Sequence, residues 1–394
     1  MAVDSIVAKS VQNKSNLKKS TKNRAARSYS RNVSLKLFNS ETNAPGVQTG
    51  QGELALLEEI RARSKRVSRA GLRLGIGDDC ALLAQRRGEE IALTTDLSIA
   101  GRHFRLDWHQ PESVGHRALA RGLSDLAAMG ARPVAAFLSL GVPRELTMAA
   151  GPDGARTNAG AYTRTYGRSW VQRFLDGLLA LAEIHKTPLA GGDLAESPIA
   201  VADVILVGAV PQGRALLRSG AHPGDLLYVT GALGGAAAGL SRLAELASTA
   251  SMKPPRIPKK LAAKLAPHLF PQPRIAQGLW LQRRGLSKAA LDLSDGLSTD
   301  LAHLCEESGV AAEVDAALLP IHTAATLAQA LHGGEDYELL FTAPPTARLP
   351  RTIADVRVTR IGRIVKQRKG QPDLTLITEQ GPQPMEPRGW EHFS

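Results

Sequence analysis

Around Glu53 the stretch "GELALLEEIRARS" places Leu54, Leu57 and Ile60 at helical spacing and marks the start of the folded part. Strand-like apolar runs follow at Ile91 to Thr95 and Ala135 to Leu140. Between them "PESVGHRALARGLSDLAAMGA" predicts a helix from Pro111 to Met129, opened by Pro and Glu and closed by Gly130. A second helical pattern, "WVQRFLDGLLALAEIH", leads through "LAGGDLAES" to a strand from Ile199 to Val210. Turn formers gather in "PQGRALLRSGAHPGD", where a domain boundary is expected, and "DLLYVTGALGGAAAGL" then reads as strand, Gly turn and helix. Beyond it the pattern predicts helices at Ile275 to Arg284 and Thr299 to Ser308, a strand in "AALDLSD" and a last strand region at 355–365. The loop 150–168 and the Pro- and Lys-rich segment 250–274 read as excursions.

Composition changes this picture in one place. The 394 residues carry a formal net charge of +12, but +7 of it lies in the first 50 residues. That stretch has too little apolar surface to offset its ordering entropy, so residues 1–51 are expected to be a disordered basic tail. A transit peptide and a nucleic-acid-binding arm are lesser readings of the same residues. A length of 394 residues exceeds what one hydrophobic core supports, so two domains are expected, at 52–210 and 211–394, and an apolar fraction of 43% is enough to give them real cores. No apolar run approaches membrane-spanning length, and the two cysteines, Cys80 and Cys305, are too few for a disulfide framework or a Cys-based zinc site. A cytoplasmic protein is the expectation.

The common nucleotide and hydrolase signatures are missing. There is no Gly-Lys dipeptide, hence no Walker A loop, and no Gly-x-Ser-x-Gly, His-Glu-x-x-His or His-Arg-Asp. In "GIGDDC" Asp78 and Asp79 stand where a dinucleotide fingerprint would offer amides to phosphate. What the chain has instead is a set of carboxylates at strand ends and turns: Asp78, Asp79, Asp96, Asp125, Asp193, Asp292 and Asp295. Each alone also suits a cap or turn. Together they offer hard oxygen ligands of the kind that hold Mg²⁺ against phosphates.

The motifs "GIGDDCALL", "TTDLSIAGRHF", "ALARGLSDLAAMGARP", "LAGGDL", "GRALLRSGAHPGDLLYVTG", "LDLSDGLSTDL" and "HGGEDYELLFT", in this order and spacing, resemble those of the bacterial thiamine-monophosphate kinases. The resemblance runs from about Gly52 to Phe393. It implies an α/β (α+β) fold of two domains like aminoimidazole ribonucleotide synthetase, with the N-terminal sheets of a homodimer pairing into a barrel and ATP bound nearby. It implies ATP-dependent phosphorylation of thiamine monophosphate with several Mg²⁺ ions. Metal binding carries over to Asp79, Thr94, Thr95, Asp96, Asp125, Asp193, Asp292 and Asp295. Nucleotide contacts carry over to Gly192, Asp193, Arg218 and Ser294, and substrate contacts to His103, Glu335 and Trp390.

The acceptor implied here is a phosphate monoester with a second pKa of about 6, already ionised near neutral pH. No general base or covalent nucleophile is then expected, and direct in-line transfer follows. Several of these residues have plainer roles open to them: His103 as a packed histidine, Trp390 as an anchor of the C-terminus, Arg218 as a surface charge. The rival functions are another ATP-dependent enzyme of the same superfamily, of aminoimidazole ribonucleotide or selenophosphate synthetase type, and a nucleic-acid-binding module using the tail. The folded part shows no basic stripe with interleaved aromatics, which disfavours the last. The tail and the longer loops at 150–168 and 248–264 have no counterpart in the family pattern.

Overall fold

A computed structural model describes residues 53–64, 71–76, 80–148, 168–248, 254–287 and 289–389. The basic tail, Asp78, Asp79, Trp390 and nearly all of the 150–168 loop lie outside the described residues.

Helix α1 (Glu53–Ser64) precedes a short hairpin of β1 (Leu72–Leu74) and β2 (Leu82–Leu83). A four-stranded sheet follows, built from β3 (Glu89–Ile99), β4 (Arg132–Val142), β5 (Leu189–Glu196) and β6 (Val201–Pro211) in the order β3-β6-β4-β5. Helices α2 (Pro111–Ala128) and α3 (Trp170–Ile184) pack on one face of it. Their apolar stripes bury Leu119, Leu123, Leu126, Phe174, Leu175 and Leu178 against Leu138, Val204 and Leu206 of the sheet. On the opposite face Leu72 joins Ala135, Ala190 and Val207 in a smaller cluster. Ile91, Leu93 and Leu97, which alternate along β3 on that side, remain 55%, 65% and 46% exposed.

The second half is built on an eight-stranded, largely antiparallel sheet. Its members are β7 (Leu226–Thr230), β8 (Ala290–Asp292), β9 (Ala311–Asp315), β10 (Leu339–Ala343), β11 (Thr352–Ile353), β12 (Val356–Val365), β13 (Leu374–Thr378) and β14 (Gly381–Pro384). The order is β14-β13-β9-β12-β7-β10-β8, with β11 paired to β12. Around it lie α4 (Gly235–Ser248), α5 (Lys259–Leu269), α6 (Ile275–Arg284), α7 (Leu297–Ser308) and α8 (Leu327–His332). Among the described residues, no helix is long and apolar enough to cross a membrane.

Two helices expected from periodicity stand nearly at their predicted bounds, α2 to within one residue and α6 at both ends. Three features differ from expectation. Segment 250–274 is no mere excursion: α5 inside it buries Leu265, His268 and Leu269 despite Pro267, since Leu261, Leu265 and Leu269 recur every four residues. The strand in "AALDLSD" is only three residues long, because the chain turns away after Asp292 and Leu293 donates its N–H to the carbonyl of Glu338 at 2.8 Å. "LAGGDLAE" is itself a strand, β5, running parallel to β4 as an edge. Paired on one side only, an edge strand tolerates its two glycines and aspartate.

Candidate functional site: an acidic cleft between β3, α2 and the β8 turn

Strand alternation sends Thr94 and Asp96 of β3 to the face covered by α2. A side chain at Gly122 of α2 would collide with Leu206 and crowd Thr94. Its absence lets the helix lie close on the sheet, and Asp125, one turn on, accepts a hydrogen bond from Thr94 Oγ1 through Oδ2. Arg117, Arg121 and Asp125 stand at four-residue steps and so share one helix stripe. Arg121 Nη2 lies 3.2 Å from Asp96 Oδ1.

Asp292 closes β8, and the turn after it presents Ser294 and Asp295 before α7. Asp300 fixes this turn by accepting from the backbone N–H groups of Asp295 and Gly296, each at 3.0 Å. The neighbouring turn is braided with it: Glu335 N donates to Ser294 O and Tyr337 N to Leu293 O, both at 2.8 Å. Glu335 and Tyr337 hold the left-handed backbone region, at φ 67° and 51°. Non-Gly residues adopt such angles when surrounding bonds over-determine them.

Electrostatics divide the cleft. Burial raises the Asp96 carboxyl from 3.8 to about 7, with Arg121 opposing and Asp125 and Asp203 reinforcing. Burial also raises Asp125, against the hydrogen bond from Thr94 and the charges of Arg218 and Arg121. Asp292, buried and facing the charge of Asp125, is pushed well above the carboxylate range. At Glu335 burial acts in the same direction, but the charge of Arg117 and a hydrogen bond from His268 outweigh it and hold the acid well below its ordinary value. Arg117 pairs with Glu335 Oε1, and His268 Nδ1 lies 3.3 Å from Oε2. His268 Nε2 meets His109 Nε2 at 2.9 Å, and burial lowers both histidines.

Asp96, Arg121, Asp125, Asp292, His109, His268 and Glu335 line one cleft of about 510 Å³, with Arg117 reaching it only through its pairing with Glu335. Of the residues expected from sequence, Asp96, Asp125, Asp292, Ser294, Asp295, His103 and Glu335 all reach it. Thr94 stands behind Asp125, and Arg218 is close enough to act on the charges of Asp125 and Asp300. Thr95, Gly192 and Asp193 do not join them within one chain. Thr95 alternates to the other face of β3, and Asp193, in register with Ser139, Asp203 and Leu97, shares that face across the sheet. Gly192 sits at φ 147°, where a side chain would strike the Leu138 carbonyl.

Several residues of the site escaped the sequence reading. Arg117 and Arg121 were legible as the stripe that ends on Asp125. His109, His268, Asp300 and Asp336 had no such signal. Asp336 accepts from the N–H groups of Gly234 and Ala236, the latter at 3.0 Å, and so occupies the start of α4.

Among the described residues no three His, Cys, Asp or Glu side chains form a ready-made metal cage. Buried carboxylates that raise one another's proton affinity still suit hard cations that complete their shell with water or phosphate oxygen.

The N-terminal domain of the AIR synthase related proteins matches residues 77–215, and their C-terminal domain matches residues 222–374. The chain therefore belongs to that family of two-domain α/β enzymes. It is 38% identical over 355 residues to the thiamine-monophosphate kinase of Escherichia coli K12, covering 87% of this chain and 98% of that protein. A crystal structure of thiamine-monophosphate kinase from Stenotrophomonas maltophilia K279a superposes with a TM-score of 0.67 at 36% identity, covering 83% of this chain and 97% of that one. AaThiL complexed with AMPPCP and TMP superposes with a TM-score of 0.63 at 29% identity, covering 89% and 100%. Within the AIR synthase related proteins, the chain belongs to the thiamine-monophosphate kinases.

Proposed function

We propose that this chain transfers the γ-phosphoryl group of ATP directly to the phosphate of thiamine monophosphate, giving thiamine diphosphate. The observation that carries the proposal is the convergence of Asp96, Asp125, Asp292, Ser294 and Asp295 with His103 and Glu335 in one cleft. The solved relative complexed with AMPPCP and TMP supports an ATP-like and a thiamine-phosphate ligand.

Mg²⁺ would supply charge neutralisation to the phosphates during transfer. Asp96, Asp125, Asp292 and Asp295 would hold it, with Thr94 orienting Asp125 and Asp79 and Thr95 as further ligands. Ser294 and Arg218 bind nucleotide. His103, Glu335 and Trp390 hold the acceptor, and His103 is fixed by the N–H of Ile99, which donates to its Nδ1 at 3.1 Å. The acceptor phosphate is the nucleophile, so no side chain takes up a proton or a phosphoryl group.

A homodimer completes the site in this reading. The exposed Ile91, Leu93 and Leu97 face of β3 supports it, and Thr95, Gly192 and Asp193 would be supplied to ATP and its metal across that face. The reaction is placed in the cytoplasm.

The test is purified protein with ATP, Mg²⁺ and thiamine monophosphate, following thiamine diphosphate by chromatography with and without EDTA. EDTA-sensitive product is expected. Folded protein that makes none, yet acts on formylglycinamidine ribonucleotide, would overturn the assignment in favour of the sister chemistry.

A further inference from the structure

The carboxylates of the cleft have a cationic neighbour on their own helix. Arg121 lies one turn before Asp125, lines the same cleft and is 19% exposed. Besides Asp96, at 3.2 Å, its guanidinium holds the Leu97 carbonyl at 3.2 Å and Ser98 Oγ at 3.4 Å through Nη1. The charges of Glu335 and Asp125 also act on it. The other arginines of the cleft are placed differently. Arg105 forks onto Asp107 at 3.0 and 2.6 Å and lies 4.5 Å over the Trp108 ring, and Arg102 is exposed.

We infer that Arg121 is a tethered counter-ion of Asp96 which a divalent cation must displace to reach that carboxylate. The inference rests on the proposed cation-holding role of the acidic cluster. A guanidinium and a metal ion cannot share a carboxylate at close range without repulsion. Once displaced, a largely shielded guanidinium needs another anion. The reaction brings one, since a phosphate presents oxygens that match the planar guanidinium fork. Arg121 thereby makes metal uptake conditional on phosphate: the free ion is disfavoured, and metal and phosphate enter together. It is a positioning and selectivity residue that leaves the chemistry of transfer unchanged.

The experiment measures Mn²⁺ binding to the full chain by electron paramagnetic resonance of the free ion, with and without AMPPCP and with no turnover. Arg121→Met is expected to bind Mn²⁺ about tenfold more tightly than the parent in the absence of AMPPCP, because a like charge has been removed. Arg121→Gln, which keeps a polar group toward Leu97 and Ser98, should show the same gain if the methionine variant misfolds. Arg121→Lys keeps the charge and should stay within about twofold of the parent. AMPPCP should tighten Mn²⁺ binding more in the parent than in either neutral variant. Unchanged or weaker Mn²⁺ affinity in the folded neutral variants would overturn the inference alone. A parent that binds no Mn²⁺ even with AMPPCP would overturn both the inference and the cation reading beneath it.

Discussion

Asp96 and Glu335 line one cleft, both are partly buried beside an arginine, and their proton affinities move in opposite directions. Glu335 has Arg117 on one oxygen and His268, kept neutral by burial, beside the other, so its charge is met by one guanidinium and a polar neighbour within the protein. Asp96 has a single contact to Arg121 and shares its surroundings with Asp125 and Asp203. One side of the cleft is finished as folded. The other carries more negative charge than the described protein groups balance, and a site in that condition is suited to cations brought by the substrate. Each has one arginine, so the crowding of Asp96 by the carboxylates of Asp125 and Asp203, more than burial itself, separates the two.

The largest effect is expected where that imbalance is removed. Asp125→Asn and Asp295→Asn should each lower turnover of thiamine monophosphate by more than about 100-fold, the scale of losing a charge that organises a transferring group, while circular dichroism remains that of the parent. Near-normal turnover in both would remove the cation account.

Breaking the balanced side should act on stability instead. Arg117→Met leaves the Glu335 carboxylate without its main partner and should cost about 3 kcal/mol in urea unfolding, as for other ion pairs shielded from water. The variant should also have a raised KM for thiamine monophosphate. A loss under about 0.5 kcal/mol would place this pair with ordinary surface bridges.

A smaller effect sharpens the contrast through pH. With its carboxyl raised to about 7, Asp96 is protonated below that pH and must release the proton before it can hold a cation. Mg²⁺ affinity of the nucleotide-free protein should therefore rise with pH, by about tenfold per unit below about 7 for the one proton on Asp96, and more where Asp125 and Asp292, also raised by burial, give up theirs. Glu335 stays ionised throughout that window and contributes no slope. Isothermal titration between pH 5.5 and 8.5 reads the profile, and a flat one would contradict the shift assigned to Asp96.

Most of this arrangement was legible in the chain because it is local. Apolar spacing placed α2 and α6 closely, and the acidic motifs supplied five carboxylate or hydroxyl groups that reach the cleft, Asp96, Asp125, Asp292, Ser294 and Asp295. Partners brought by tertiary packing were not legible. His268 comes from α5, inside a segment whose prolines and lysines hid its apolar repeat, and it reaches Glu335 from 67 positions away. Asp300 looks like any acid in a first helical turn until its bonds to the Asp295 and Gly296 amides are seen. Period-2 alternation in β3 also divides adjacent residues: Thr94 and Asp96 face α2, whereas Thr95 faces away with Leu93 and Leu97. A motif such as "TTD" names ligand types without stating which face of the strand each serves.

The central claim is that the acidic side of the cleft holds the cations that in turn hold the phosphates. The most direct measurement is a crystal structure of the protein with Mn²⁺, AMPPCP and thiamine monophosphate, with the metal located by its anomalous signal. The account predicts metal peaks at about 2.1 Å from oxygens of Asp96, Asp125 or Asp292 and bridging the nucleotide phosphates, with the thiamine moiety toward His103 and Glu335. Phosphates lodged against Arg117 and Glu335, with no metal on the three aspartates, would contradict it.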